Sequence, residues 1–145
     1  MDKMLAKQMF MQGYSCSQAV ACAFAQECDM TVDQLKKAAI AFGGGFVHQH
    51  SLCGALTGGA LVAGIIKGGT QPNSKMDFAV KFEWVVDDFC KKHGSIMCSE
   101  LANDKQKLFE QADLSVATEE EYKARPCLAL VMSAIDMVAD YIKNN

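Results

Sequence analysis

Seven cysteines are the residues of this chain best suited to chemistry: Cys16, Cys22, Cys28, Cys53, Cys90, Cys98 and Cys127. No export signal is visible, so we expect them in a reducing compartment as thiols, metal ligands or transient disulfides. The sequence contains no C-x-x-C, and it therefore lacks both the thioredoxin motif and the spacing of a zinc ribbon. Any chemistry that these cysteines share must depend on the fold to bring them together.

Four of the cysteines are predicted to lie in the first turn of a helix. They are Cys16, Cys53, Cys98 and Cys127. Ser15 is a suitable cap for the helix of Cys16, and Pro126 suits the first turn of the helix of Cys127. Unpaired N–H groups and the helix dipole favour negative charge there, so the pKa of such a thiol can fall from ~8.5 to roughly 3.5–7.5. We expect these four thiols to converge at one end of a bundle.

The other three cysteines are predicted to be structural. Cys22 and Cys28 follow Cys16 at intervals of six residues on one predicted helix. Six residues turn a helix by about 240°, so the three side chains point to different faces and cannot share one site. Cys90 ends a later helix at the edge of a phenylalanine-rich stripe. We therefore expect Cys22 and Cys28 to lie apart from the four cysteines at helix starts.

Helical periodicity runs through nearly the whole chain, which has only two prolines. Capping boxes begin at Thr31 and Thr118, Ser74 is a further cap, and residues 103–117 are expected to be loop or irregular helix. The predicted helices span about residues 2–12, 15–28, 31–42, 53–67 and 74–92, with a short one from about 98 and a last one from 126 to the C-terminus. The predicted fold class is all-α: a compact helical bundle with a single domain over residues 1–145.

Composition and charge narrow the functional class. The net charge is -3 and the pI about 5.5, and the basic residues are scattered, which argues against a nucleic-acid binder. The most apolar segment, Leu52 to Ile66, has 15 residues. That is shorter than the ~20 residues of a membrane-spanning helix. The sequence therefore predicts a cytoplasmic protein that binds no nucleic acid and does not insert into a membrane.

Five segments, in this order, resemble a known family. They are Gly13-Tyr14-Ser15-Cys16-Ser17-Gln18-Ala19-Val20, Phe42-Gly43-Gly44-Gly45, Cys53-Gly54-Ala55-Leu56-Thr57-Gly58, Gly94-Ser95-Ile96-Met97-Cys98 and Pro126-Cys127. Over nearly the whole chain they are similar to the redox-active family named for its C_GCAxxG_C_C cysteine pattern. The resemblance implies a helical domain that is redox-active through Cys16, Cys53, Cys98 and Cys127. A related domain occurs in split-Soret haem proteins, but this chain has no C-x-x-C-H, so covalent haem attachment is not implied.

The leading hypothesis is a thiol–disulfide or electron-transfer protein that uses these four cysteines as catalytic residues, without a cofactor and with a redox partner protein. Cys53 is the expected attacking thiol and the most acidic one, because glycine backbone, His48 and His50 lie near it in sequence. Cys16 is its expected partner, and Cys98 with Cys127 is the second pair. Four cysteines allow three pairings, and all three remain open.

Two alternatives also remain open. Residues 46–50 depart from the family pattern, and there His48 and His50 could join Cys53 and Cys98 as metal ligands. In this alternative the chain is a non-enzymatic binding module that holds zinc or an iron–sulfur cluster through these residues or through the four cysteines. The absence of short ligand spacings such as C-x₂₋₄-C argues against it. In the other alternative, the chain is a non-catalytic interaction protein that forms a homodimer through its Gly/Ala-rich helix.

Overall fold

The structure, a computed structural model, describes residues 1–102 and 126–145. Within these two ranges the chain forms seven α-helices and no β-strand, which confirms the predicted all-α fold. The helices are α1 (Lys3–Met11), α2 (Cys16–Cys22), α3 (Val32–Ala39), α4 (Gly54–Lys67), α5 (Ser74–His93), α6 (Cys98–Leu101) and α7 (Pro126–Asn144). The capping box expected at Thr118 and the loop expected at 103–117 lie outside the described residues.

Local capping signals explain where two of the helices begin. The Ser15 hydroxyl accepts a hydrogen bond from the Gln18 amide (3.3 Å), and the Gln18 side chain accepts one from the Ser15 amide (3.1 Å). Thr31 and Gln34 form the same reciprocal pair at the start of α3. The cap expected at Ser74 is wrong, because Ser74 is already the first helical residue of α5. Capping boxes therefore fix α2 and α3 through interactions that are local in sequence.

Helix α2 ends at Cys22, six residues earlier than expected. Beyond it, the amides of Phe24 and Ala25 bond to carbonyls three residues back, at 3.1 and 3.3 Å, instead of four. Such bonds tighten the chain into turns that do not continue an α-helix. The turns run to Asp29, which has a left-handed φ of 52°. Cys28 therefore lies outside the helix that carries Cys16 and Cys22.

Helix α2 lies in the middle of the bundle and packs against α1, α3, α4 and α7. The contact between α2 and α4 depends on Gly58, because a Cβ at this position would come within 2.6 Å of the Ser17 carbonyl oxygen. No real Cβ approaches an oxygen so closely, so only glycine allows the two backbones to lie at this distance. This close approach sets the start of α4 beside the start of α2.

Helices α5 and α7 pack through the apolar stripes that the sequence predicts. Phe82, Val85 and Phe89 of α5 are buried. The Tyr141 ring of α7 meets the Phe82 ring edge-on, with 5.1 Å between their centroids. The inward-facing residues of α7 begin with Cys127 and continue along the whole helix. None of the helices described combines the length and the apolar character that crossing a membrane requires.

Candidate functional site

Cys53 and Cys98 are brought together by a short antiparallel contact between segments that are distant in sequence. Leu52 pairs with Met97 in an isolated β-bridge. The amides of Cys53 and Cys98 donate hydrogen bonds across this bridge, at 2.8 and 2.6 Å. Each cysteine directly follows a bridged residue, and side chains alternate along an extended chain. Cys53 and Cys98 therefore lie on the same face of the bridge, opposite Leu52 and Met97.

Cys16 and Cys127 lie at the starts of two neighbouring helices. Cys16 is the first residue of α2, and Cys127 follows Pro126 in the first turn of α7. Their thiols lie close enough that Cys127 raises the pKa of Cys16. The start of α4 is close as well, because a Cβ added to Gly54 would lie 3.5 Å from the Cβ of Cys16. Three helix starts thus meet at one end of the bundle.

One cavity of about 240 Å³ joins these two pairs. Cys16, Cys53, Cys98 and Cys127, which we call the cysteine cluster, all line it. Phe10 and Leu130 form part of its wall, and Gly43 to Gly45 lie at its edge. Its volume is below the roughly 300–1,000 Å³ of pockets for drug-sized ligands, so it suits a small group or a few water molecules. The structure therefore brings together the four cysteines that helix position and the family resemblance select.

The remaining cysteines lie outside this cavity. Cys22 is fully buried, and its thiol donates a hydrogen bond to the Val32 carbonyl at 3.6 Å. Cys28 is also buried, and Cys90 is exposed on α5. Their separation from the cluster agrees with the expectation for Cys22 and Cys28. For Cys28 the reason differs from the expected helix rotation, because α2 ends before reaching it.

The acidity expected for Cys53 is not what its surroundings support. Burial raises the pKa of the Cys53 thiol, and the neighbouring backbone N–H groups of Leu56 and Ala55 lower it by less. The Cys127 thiol raises it further. Cys53 is the N-cap residue of α4 and is only 4% exposed. A position at a helix start therefore does not make this thiol acidic, because the loss of hydration outweighs the helix amides.

Cys16 is held in its protonated form by the rest of the cluster. The interaction with Cys127 raises the pKa of Cys16 most, followed by burial. Negative charge on Cys127, Cys53 or Cys98 would raise it further. The neighbouring thiols therefore oppose the ionisation of Cys16.

The two histidines of the loop before α4 have different positions. His48 lines the cavity, whereas the Nδ1 atom of His50 lies 3.7 Å from the Sγ atom of Cys98, within hydrogen-bonding distance for sulfur. Both residues have left-handed backbone, with φ of 56° and 57°. The sequence suggested His48 and His50 as metal ligands and as neighbours that make Cys53 acidic, and it did not anticipate the contact of His50 with Cys98. Within residues 1–102 and 126–145, no group of three or more His, Cys, Asp or Glu side chains is arranged to hold a metal ion.

Sequence reasoning did not identify the residues that hold Cys98 in place. A Cβ on Gly45 would lie 2.6 Å from the Cβ of Cys98, and Gly45 has a φ of +68°. The run of three glycines at 43–45 carried this signal, since glycine alone combines a left-handed backbone with so close an approach. The Leu52–Met97 bridge had no comparable local signal in the sequence.

Comparison with protein families extends this picture from the site to the chain. A family model described as "Putative redox-active protein (C_GCAxxG_C_C)" matches residues 14–141. Comparison with curated proteins and with solved structures finds no match. The matched region contains all four cysteines of the cluster and begins just before the cap of α2. The chain therefore belongs to the C_GCAxxG_C_C family of redox-active proteins.

Proposed function

We propose that this chain is a thiol–disulfide redox protein whose centre is the cysteine cluster. The observation that carries the proposal is the shared cavity, which is lined by four cysteines from four separate segments of the chain. Cys22, Cys28 and Cys90 do not line it, so the gathering is selective. A core that only needed small apolar side chains would not require thiols at each of these positions.

Electrostatics also favours two-electron chemistry at the cluster. Ionising one thiol beside another is costly in this buried setting, as the raised pKa values of Cys16 and Cys53 indicate. Oxidation of two thiols to a disulfide releases two protons and two electrons and leaves no charge in the cavity. The electron acceptor is a disulfide of a partner, which is reduced to two thiols in exchange. Such a transient bond also suits a reducing compartment such as the cytoplasm.

The contacts favour a pairing that differs from the sequence-based expectation. The interaction with Cys127, which raises the pKa of Cys16 most, supports a pair of these two thiols. The Leu52–Met97 bridge leaves Cys53 and Cys98 on one face as diagonal neighbours about 7–8 Å apart, so a second pair of these two requires a local shift of the chain. The expected pairing of Cys16 with Cys53 stays a prediction, because Cys53 also interacts electrostatically with Cys16. Each arrangement leaves the cluster as the redox centre.

A redox titration tests the proposal. The anaerobically purified full chain is equilibrated with glutathione buffers of rising disulfide content, quenched with an alkylating reagent, and its free thiols are counted by mass. We expect thiols to disappear in steps of two. The Cys53→Ser variant should lose one such step, whereas Cys90→Ser, the exposed control, should keep every step.

Two results would overturn the proposal. One is a thiol count that stays constant across the whole titration. The other is stoichiometric zinc or iron that survives dialysis, with no redox-linked change in mass. The second result would support the metal-binding module instead.

A further inference from the structure

The Cys98 side chain contacts the imidazole of a histidine. Its Sγ atom lies 3.7 Å from Nδ1 of His50. In one protonation state the thiol can donate to the imidazole, and in the other the imidazolium can donate to the thiolate. The contact can therefore exist both before and after a proton moves from the thiol to the imidazole.

The backbone holds His50 beside Cys98 from two sides. The His50 amide donates to the Gly44 carbonyl at 3.0 Å, and the His50 carbonyl accepts from the Ser99 amide at 3.1 Å. Ser99 is the neighbour of Cys98, so one hydrogen bond ties the two partners' segments together. His50 keeps this place although its φ of 57° lies in the left-handed region, which is uncommon for residues other than glycine. Several contacts thus position the imidazole.

Cys98 differs from Cys53 and Cys127 in how accessible its side chain is to a substrate. Cys53 and Cys127 are 4% and 6% exposed, whereas Cys98 is half-buried and lines the cavity. Cys16 is also half-buried, but the neighbouring Cys127 thiol and burial raise its pKa well above the ordinary value. An external disulfide needs an accessible sulfur that can lose its proton. Cys98 is half-buried, and the His50 imidazole lies beside it as a proton acceptor.

We propose that His50 accepts the proton of Cys98 and that Cys98, instead of Cys53, is the thiol that first attacks a partner's disulfide. This inference rests on the proposed thiol–disulfide function and deepens it. The imidazole acts as a general base for the cysteine, because its Nδ1 atom lies within hydrogen-bonding distance of the Cys98 thiol.

The proposed exchange has two steps. In the first, the Sγ–H bond of Cys98 breaks, its proton moves to Nδ1 of His50, and Sγ bonds to one sulfur of the partner's disulfide. The disulfide breaks, and its other sulfur leaves as a thiolate that takes up a proton. In the second, a neighbouring thiol of the cluster attacks Sγ of Cys98 and gives its proton to the rest of the partner, which leaves as a thiol. Two protein thiols are oxidised and one disulfide is reduced to two thiols.

Other titratable groups surround this pair. The Cys16 thiol interacts electrostatically with Cys98, and His48 lies in the same loop as His50. Glu100 follows Cys98 by two residues, and its carboxylate accepts a hydrogen bond from the Ser95 hydroxyl. A pH profile must therefore be assigned by substitution of His50 and not by its shape alone.

The test measures alkylation of each cysteine separately by iodoacetamide across pH 5 to 10, with peptide mass spectrometry as the readout. His50→Asn removes the base while keeping a residue type that tolerates left-handed backbone. His50→Gly removes it with no backbone strain at all. Gln49→Ala, at an exposed position of the same loop, is the matched control. Cys90 on α5 is an internal reference for an exposed thiol.

We expect both His50 variants to lower the rate at Cys98 about tenfold near pH 7, the effect of a one-unit rise in thiol pKa, while Cys90 stays unchanged. In the plot of the Cys98 alkylation rate against pH, the reactivity at the low-pH end should disappear in both variants and persist in Gln49→Ala. In glutathione buffers the variants should reach the same final thiol count as the wild-type chain, only more slowly. Equal Cys98 rates in all four proteins, or a change in only one His50 variant, would overturn the role of His50. A wild-type chain that never loses thiols would instead overturn the proposed function, and the alkylation rates would still decide about His50.

Discussion

Gly45 and Cys98 are so close that a Cβ on Gly45 would lie 2.6 Å from the Cβ of Cys98. Two residues that are 53 positions apart in sequence are therefore in direct backbone-to-side-chain contact. The Cys98 side chain packs directly against the glycine run that precedes α4. The position of Cys98 in the cluster depends on the absence of a side chain at residue 45.

Substituting Gly45 should therefore disturb Cys98 together with the adjacent loop, because an added Cβ would also lie 2.7 Å from the Ser51 amide nitrogen and 2.8 Å from the Cα atom of His50. We expect Gly45→Ala to displace the Cys98 side chain and to change its alkylation rate several-fold. Gly94→Ala is a matched control, because Gly94 also has a positive φ (87°) but nothing lies within 4 Å of an added Cβ. Both variants should lose roughly 1–2 kcal/mol of stability from left-handed strain. An equal change of Cys98 reactivity in both, measured by peptide mass spectrometry, would show that strain and not contact is responsible.

The close contact between α2 and α4 leads to a second prediction, which compares two glycines of α4. Gly58→Ala would bring a Cβ to 2.6 Å from the Ser17 carbonyl oxygen, whereas at Gly64 the nearest atom to an added Cβ is a Phe78 ring carbon at 4.0 Å. We expect Gly58→Ala to reduce the free energy of unfolding by roughly 1–3 kcal/mol through overpacking. Gly64→Ala should raise it by up to about 1 kcal/mol, because alanine is the better helix former. Urea denaturation of both variants measures the difference, and a neutral Gly58→Ala would contradict the close approach.

Because the thiols of Cys22 and Cys28 are buried, we predict that the protein loses stability at alkaline pH. Burial raises the pKa of Cys22 and of Cys28 from 9.0 to about 11. A group that holds its proton longer in the folded state stabilises the fold fully below the unfolded pKa, and this stabilisation is lost as the pH rises toward the folded pKa. We therefore expect the free energy of unfolding to fall between about pH 9 and pH 11, by up to roughly 2–3 kcal/mol for each thiol.

The Cys22→Ala and Cys28→Ala double variant is the control for this alkaline loss. Its unfolding free energy should depend less steeply on pH above 9 than that of the wild-type chain, whatever its absolute stability at pH 7. Urea denaturation at pH 8 and at pH 10.5 compares the slopes. Identical slopes in the two proteins would assign the alkaline loss to other groups.

How much of the structure can be predicted from the sequence depends on how far apart in sequence the interacting residues lie. Ser15 and Pro126 mark helix starts through neighbours only a few residues away, and so the positions of Cys16 and Cys127 follow from the sequence. The Leu52–Met97 bridge joins segments with no local pattern, and it fixes Cys53 and Cys98 on one face. The thiol pKa of Cys53 also escaped prediction, because burial is a property of the whole fold and it outweighs the helix-start effect that the sequence shows.

The loop before α4 shows a further limit. Residues 46–52 are correctly predicted as a loop, but Phe46, Val47, His48 and His50 all have left-handed φ, which nothing in their residue types favours strongly. Val47 is β-branched and is a particularly unfavourable residue for this region. The preference of each residue for ordinary backbone is overridden by the hydrogen bonds that close the loop. The resulting contact of His50 with Cys98 is visible only in three dimensions.

The most direct test of the account is a disulfide map of the full chain after oxidation with glutathione disulfide under non-denaturing conditions. Proteolysis and mass spectrometry then identify which cysteines are joined. We predict intramolecular disulfides that connect only Cys16, Cys53, Cys98 and Cys127, reversed fully by dithiothreitol, with Cys22, Cys28 and Cys90 still free. Disulfides that join the buried Cys22 or Cys28 to members of the cluster, or no disulfide at all, would contradict the claim that the four cysteines at one end of the bundle form a redox centre.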